Sequence, residues 1–158
     1  MIRLIFSGSL TVAPSESRMA AYLADCQQRF ARHGISGLMV LMGCDFLQVM
    51  EGPAADVAHE YDLLAAQSHR YRITLLARQA IERRMFTDWH MGLVSPPQPG
   101  VEASVLLSPS LLDLQRYVPQ NDGEQHMLHI IDEFIAGKWH LTPPFDASRP
   151  ITVLRKNH

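Results

Sequence analysis

Cysteine is scarce, with Cys26 and Cys44 the only two thiols in 158 residues. Both sit in apolar patterns, so they read as buried and reduced, and a disulfide framework is excluded. Positive charge is not in surplus either. Fourteen Lys and Arg against sixteen Asp and Glu leave a formal net charge of -2 and a pI near 6.4, which argues against a dedicated nucleic-acid surface. No apolar run approaches the roughly 18–20 residues of a membrane span, and the N-terminus lacks the basic-then-apolar form of a signal peptide, so no membrane partner is expected and cytoplasm is the expected compartment. There is no internal repeat and no low-complexity segment. No Ser/His/Asp or Cys/His set stands at a recognisable spacing, so an enzyme would have no nucleophile to name. Ser7-Gly8-Ser9 is too short and glycine-poor to cradle a phosphate. His126 and His129, at i and i+3, have metal-ligand spacing but no third ligand nearby, and read as surface histidines. Arg83 and Arg84, with His69, Arg70 and Arg72, form the kind of basic cluster that is more often a solvated face than an anion site.

What is present is an ordinary soluble composition, 47% apolar and 19% charged, in a chain of single-domain length with room for a real core. Ile2 to Ser7 alternates as a short strand that Gly8 and Ser9 should end. From about Ser15 to Arg32, Met19, Leu23, Cys26 and Phe30 recur at i, i+4, i+7 and i+11, the inner face of a helix, and Gly34 is a natural stop. Leu38 to Met42 and Phe46 to Glu51 are β-rich runs joined by a Gly43 to Asp45 turn. Gly52-Pro53 opens a second helix, with Asp56 near its positive end and Val57, Tyr61, Leu64 and Ala65 inward. A strand over Arg72 to Ile81 follows, then a short one over Trp89 to Val94, before the breaker Ser95-Pro96-Pro97-Gln98-Pro99-Gly100. The order is β-α-β-β-α-β-(β), an α+β ferredoxin-like sheet with two helices on one face. In it the first and third strands are neighbours, Phe6 can face Gln48, and the cleft between the helices is the natural ligand site.

Residues 1–100 therefore read as the core domain. Residues 101–142 read as a helical extension on the sheet's other face: a short helix from Ser108 to about Tyr117, then a longer one from Asp122 to Trp139 carrying Met127, Ile130, Ile131, Phe134 and Ile135. The tail, 143–158, has little pattern and is expected to be loosely held.

Gln48 is the one amide among the apolar residues of its strand. Buried, it needs a partner or loses on the order of 1–3 kcal/mol for each unsatisfied group. That partner is a core polar group, a water, a ligand, or its own backbone at a sheet edge.

Several of these residues stand together in a more specific pattern: Arg3-Leu4-Ile5, Gly34-Ile35-Ser36-Gly37-Leu38, Phe46-Leu47-Gln48-Val49-Met50-Glu51-Gly52, Ala80-Ile81-Glu82-Arg83-Arg84-Met85-Phe86 and Trp89-His90-Met91. Over residues 2 to about 94 the chain resembles the BLUF family, flavin-binding blue-light sensor domains, and the remainder looks like the two-helix extension of its short, stand-alone members. The resemblance implies the fold, FAD as cofactor, and flavin positions at Phe6, Cys26, Arg29, Phe30, Phe46, Gln48, Leu63, Gln67, His69 and Arg70. It also implies a signal-output strand carrying Trp89 and Met91.

The family's photocycle uses a tyrosine on the first strand, relayed through the glutamine. Here that position is Phe6, which has no hydroxyl to donate. The positions of the family's paired asparagines, arginine and aspartate fall on Arg29, Phe30, Leu63 and Gln67, and its Arg-His pair is altered to His69-Arg70. Flavin is therefore expected to bind weakly or not at all, with Phe6 and Phe30 in contact and filling part of the ring's space. The expected function is a light-independent signalling or protein-interaction module, not an enzyme, with a protein partner and self-association through the sheet or the C-terminal helices. The alternatives are an FAD photoreceptor with non-standard anchors, and a small-molecule sensor or enzyme using the same cleft.

Overall fold

The structure, a computed structural model, describes residues 1–67, 71–87, 89–95, 114 and 116–137. The expectations for His69, Arg70, the Pro96 to Gly100 breaker, most of the Ser108 to Tyr117 helix, Trp139 and the tail lie outside the described residues. Along the chain run β1 (Ile2–Leu10), α1 (Glu16–His33), β2 (Ser36–Met42), β3 (Asp45–Gly52), α2 (Ala54–Ala65), β4 (Tyr71–Ala80), β5 (Gly92–Val94) and α3 (Asp122–Ile135).

Local chemistry accounts for most of these boundaries. The Ser15 hydroxyl accepts from the Arg18 N–H at 3.3 Å and caps α1. Gly34, at φ 62°, ends it in the left-handed conformation with its N–H on the Phe30 carbonyl. Asn121 caps α3 by accepting from the Glu124 N–H at 2.9 Å. That helix stops at Ile135, before Gly137 at φ 80°, and so is shorter than the Asp122 to Trp139 reading. Strand β1 runs on through Leu10, past the expected stop at Gly8. There the missing side chain is a packing requirement, since a Cβ would lie 2.4 Å from the Arg72 carbonyl oxygen and 2.7 Å from the Phe46 ring.

The five strands form one mixed sheet in the order β4-β1-β3-β2-β5, antiparallel except for the β2–β5 pair. This is the ferredoxin-like α+β arrangement with a fifth strand added. Strand β5 is shorter than the Trp89 to Val94 run, yet the Trp89 carbonyl still accepts from the Gly37 N–H at 2.8 Å.

Strand alternation divides the side chains between two cores. On one face Leu4, Phe6, Met39, Phe46 and Met50 pack with Met19, Leu23, Cys26 and Phe30 of α1 and Val57 of α2. On the other, Ile5, Leu38, Val40, Leu47 and Val49 pack with Met127, Ile130, Ile131 and Phe134 of α3. Ala65 is exposed at the end of α2, not inward, and Glu60 takes a buried place beside Val57 instead. Cys26 is buried, whereas Cys44 is only half-buried in the β2–β3 turn; both thiols are free.

The second face holds a buried ion pair. Arg3 and Glu51 are register partners across β1 and β3, with Arg3 Nε donating to Glu51 Oε1 at 2.7 Å and Nη2 2.6 Å from the same oxygen. Arg3 Nη1 donates to Gln79 Oε1 at 2.9 Å, and Gln79 Nε2 donates to the Gly123 carbonyl at 3.2 Å. Glu51 Oε2 accepts the N–H groups of Met85 and Phe86 at 2.8 and 3.0 Å. One charge pair, with each of its nitrogens and oxygens given a partner, thus ties three strands, the loop after β4 and the start of α3 together.

Candidate functional site

The two-helix face carries the expected cleft. Phe6 on β1 and Gln48 on β3 are direct antiparallel partners, and Gln48 is flanked on its other side by Met39 of β2. Strand β3 lies at the centre of the sheet, so Gln48 is not an edge residue bonding its own backbone. It is fully buried, and neither its amide oxygen nor its amide nitrogen has a hydrogen-bond partner among the described residues.

Phe6, also fully buried, meets the Phe46 ring edge-on at 6.5 Å between centroids and the Tyr61 ring at 5.2 Å. Phe30 is buried in the same core cluster as Phe6, with no ring-to-ring stacking or edge contact between the two among the described residues. Tyr61 of α2 supplies the nearer of the two ring partners of Phe6. Its phenol pKa is raised, first by burial and then by neighbouring Asp62.

Above this core a cavity of about 570 Å³ opens where the β1–α1 connection, the start of α1 and the end of α2 converge. Leu10 to Pro14, Arg18, Met19, Tyr22, Met39, Leu41, Phe46 and Leu64 line it. Its size suits a small molecule, and its lining is mainly apolar.

The remaining flavin positions fall in different surroundings. Cys26 is buried, and burial pushes its thiol pKa up against the opposing effects of a Tyr22 hydrogen bond and the Arg29 charge. Arg29 spans the helices: Nη2 is 3.4 Å from Glu60 Oε2 on α2, Nη1 is 3.4 Å from Asp25, and Nη2 donates to the Cys26 sulfur at 3.5 Å. Its Nε is buried and has no partner among the described residues. Leu63 is 43% exposed, outside the cleft, and Gln67 is half-buried just past the end of α2. Phe6, Cys26, Phe30 and Phe46 thus share one core on the face of the sheet that carries Gln48, Arg29 is held to its neighbours by charge, and Leu63 is apart.

Met91 and Trp89 separate across the sheet. Met91 is buried in the helix-side core, where its carbonyl accepts from Gln27 Nε2 at 3.1 Å, whereas Trp89 stacks on Phe86 at 5.8 Å against the other core. His90, between them, has Nδ1 2.9 Å from the Ile35 carbonyl oxygen. His126 has Nδ1 3.5 Å from Gln79 and His129 pairs with Glu133 at 3.3 Å, and no group of three or more potential metal ligands occurs among the described residues.

Sequence reasoning missed the Arg29–Glu60 pair and the Phe6–Tyr61 contact. A signal for the first was available: Glu60 is three residues from Val57 and one from Tyr61, close to the inward stripe of α2.

A mixed five-stranded ferredoxin-like sheet with a cleft between two helices, floored by a buried amide, defines an α+β domain with a cavity of small-molecule size. The family described as sensors of blue-light using FAD, BLUF, matches residues 1–92, and the chain belongs to it. No curated protein sequence matches significantly. Among solved structures, the dark state of the BLUF protein BlrB is 26% identical, with a TM-score of 0.56 over 60% of this chain and 71% of that one. The Klebsiella pneumoniae BlrP1 manganese/cyclic-diGMP complex at pH 9.0 is 21% identical, with a TM-score of 0.68 over 90% of this chain and 35% of that one. A bacterial light-regulated adenylyl cyclase is 17% identical, with a TM-score of 0.56 over 87% and 34%. The chain therefore spans about a third of the cyclase and of BlrP1. No helix among the described residues is long and apolar enough to cross a membrane.

Proposed function

We propose that this chain is a BLUF-family signalling module that works without the family's light chemistry, acting in the cytoplasm through protein contacts and as a homo-oligomer. The observation that carries the reading is Phe6, completely buried opposite Gln48 and packed against Phe46 and Tyr61. A phenyl ring supplies neither the proton nor the hydroxyl that the family's tyrosine gives, and Gln48 has no relay partner there.

FAD, the cofactor that the family implies, also finds few polar partners at its expected positions. Phe30 is buried apolar core, Leu63 faces out, and the Arg29 guanidinium is engaged by Asp25, Glu60 and Cys26. Each flavin polar group desolvated without a partner costs on the order of 1–3 kcal/mol, so several such losses cancel most of a micromolar affinity of about 8 kcal/mol. The reading assigns the chain no catalysis of its own. The activities named for BlrP1 and the cyclase stay with those proteins.

The absorption spectrum of natively purified protein tests the reading. A colourless protein is expected, and flavin bands with a light-dependent shift would overturn it. Light scattering tests the oligomer, and a monomer across a wide concentration range counts against it.

The unpartnered Gln48 amide favours a second reading, an FAD photoreceptor with non-standard anchors. On that reading the protein is yellow, and Gln48→Met loses the flavin.

A further inference from the structure

The cavity at the β1–α1 connection is graded from a charged rim to an apolar floor. Its rim is exposed: Thr11 and Val12 belong to the connection, and Arg18 stands in the first turn of α1. Its floor is not. Met19 of α1, Met39 of β2 and Phe46 of β3 are the buried residues that line it, and none of them carries a hydrogen-bonding side chain. Tyr22 is the polar side chain of the wall, and its hydroxyl is engaged with the Cys26 thiol.

Arg18 is the one charged residue among the described residues that line this space of about 570 Å³. Its guanidinium makes no ion pair among the described residues. Glu16, two positions before it, is exposed and does not line the cavity. The rim is also fixed before anything binds. The Leu10 N–H donates to the Cys44 carbonyl at 2.8 Å, tying the end of β1 to the β2–β3 turn, and the Ser15 hydroxyl caps the turn that carries Arg18. The floor is adaptable by contrast, because methionine side chains are unbranched and fill irregular space.

This is not where the family resemblance puts flavin. Phe46 is the one described flavin position that lines the cavity, whereas Phe6, Cys26, Arg29, Phe30 and Gln48 do not. A ring with polar edges would desolvate them on this floor without partners, and an unbranched hydrocarbon chain has nothing to lose there.

We propose that the cavity binds a medium-chain aliphatic monocarboxylate, with its tail on the Met19, Met39 and Phe46 floor and its carboxylate on Arg18 at the rim. The inference goes beyond the light-independent reading and does not depend on it.

Isothermal titration calorimetry on the full chain at neutral pH tests it, with hexanoate, octanoate and decanoate as ligands and 1-octanol as the uncharged control. Burial of the tail is expected to raise affinity about fourfold per methylene, and so about fifteenfold from each acid to the next. Octanoate is expected to bind about fivefold more tightly than 1-octanol, the size of effect that an ion pair at an exposed rim gives. Arg18→Gln, at an exposed helix position, is expected to remove that preference and leave 1-octanol binding unchanged. Leu64→Trp, which fills the space from α2, is expected to abolish binding of both, and if it does not fold, Arg18→Gln decides alone. Affinity that does not grow from hexanoate to decanoate, equal binding of octanoate and 1-octanol, or a preference that survives Arg18→Gln overturns the inference. Competition between decanoate and FAD also overturns it, since the site would then be the family's own. A yellow protein that binds decanoate without displacing its flavin overturns the light-independent reading and leaves this site standing.

Discussion

Replacing Gln48 by methionine tests whether the cleft is a filled core or a site awaiting a ligand. The amide has zero exposure and two unpartnered polar atoms, among Phe6, Met39, Phe46 and Met50. Each orphaned group costs about 1–3 kcal/mol relative to a satisfied one. Methionine is unbranched and close to glutamine in shape, so it leaves little cavity and creates little strain. Taking the low end for each atom, Gln48→Met is expected to stabilise the ligand-free chain by about 2 kcal/mol. For a chain of this length, that raises Tm by about 4–8 °C. The assay is urea denaturation followed by circular dichroism, reading a higher midpoint at unchanged slope. A variant that is neutral, or less stable by more than about 1 kcal/mol, would refute the reasoning, because it would mean that the amide has a partner in solution, whether ordered water or a retained ligand.

Three other outcomes follow from the same geometry. Glu51→Gln is expected to cost about 3–5 kcal/mol in denaturant melts, because it strands the buried Arg3 guanidinium. Stability is expected to fall as pH rises past the ordinary thiol and phenol ranges, since Cys26, Tyr61 and Tyr117 all have raised pKa values: the unfolded chain loses these protons first, so the native advantage is complete below those ranges and is lost above them. A flat profile between pH 8 and 10.5, or native Cys26 reacting with a thiol reagent as fast as Cys44, contradicts this. Phe30→Asn with Leu63→Arg and Gln67→Asp is expected to raise FAD and FMN affinity measurably. Adding Phe6→Tyr leaves affinity nearly unchanged and supplies the hydroxyl for a small reversible red shift, and Phe30→Ala binding as well as the triple variant would show that space, not hydrogen bonding, is limiting.

How far the sequence reached depended on the range of the interaction being read. The inner face of α1 was legible because Met19, Leu23, Cys26 and Phe30 obey a local period, and the Gly34 stop because a left-handed residue ends a helix by its own geometry. The Phe6–Gln48 pairing followed from topology alone. Errors arose where a residue's local preference met a long-range demand. Gly8 looks like a strand end, yet it is required inside β1, where the Arg72 backbone and the Phe46 ring close in from neighbouring strands. Ala65 fits the helical stripe of α2, but it is exposed while its neighbour Leu64 still packs against the core.

The site was less legible than the fold for a related reason. Periodicity marks which residues are apolar and inward, but it is silent on which polar residues meet across two helices, because that depends on where the helices pass each other. Arg29 reads as a substituted flavin anchor until Glu60 is placed opposite it. Tyr61 reads as generic core until its ring is found against Phe6. The Arg3–Glu51–Gln79 network could likewise not be read from alternation, which puts Arg3 on a strand face without saying that the face is dry. What both faces share is a buried group on β3 with opposite satisfaction: Glu51 has both carboxylate oxygens engaged, and Gln48, three residues earlier on the other side, has neither amide atom engaged. The polar network is thus complete on the side toward α3 and incomplete on the side toward the cleft, so an unused hydrogen-bonding partner for a polar group lies on the cleft side.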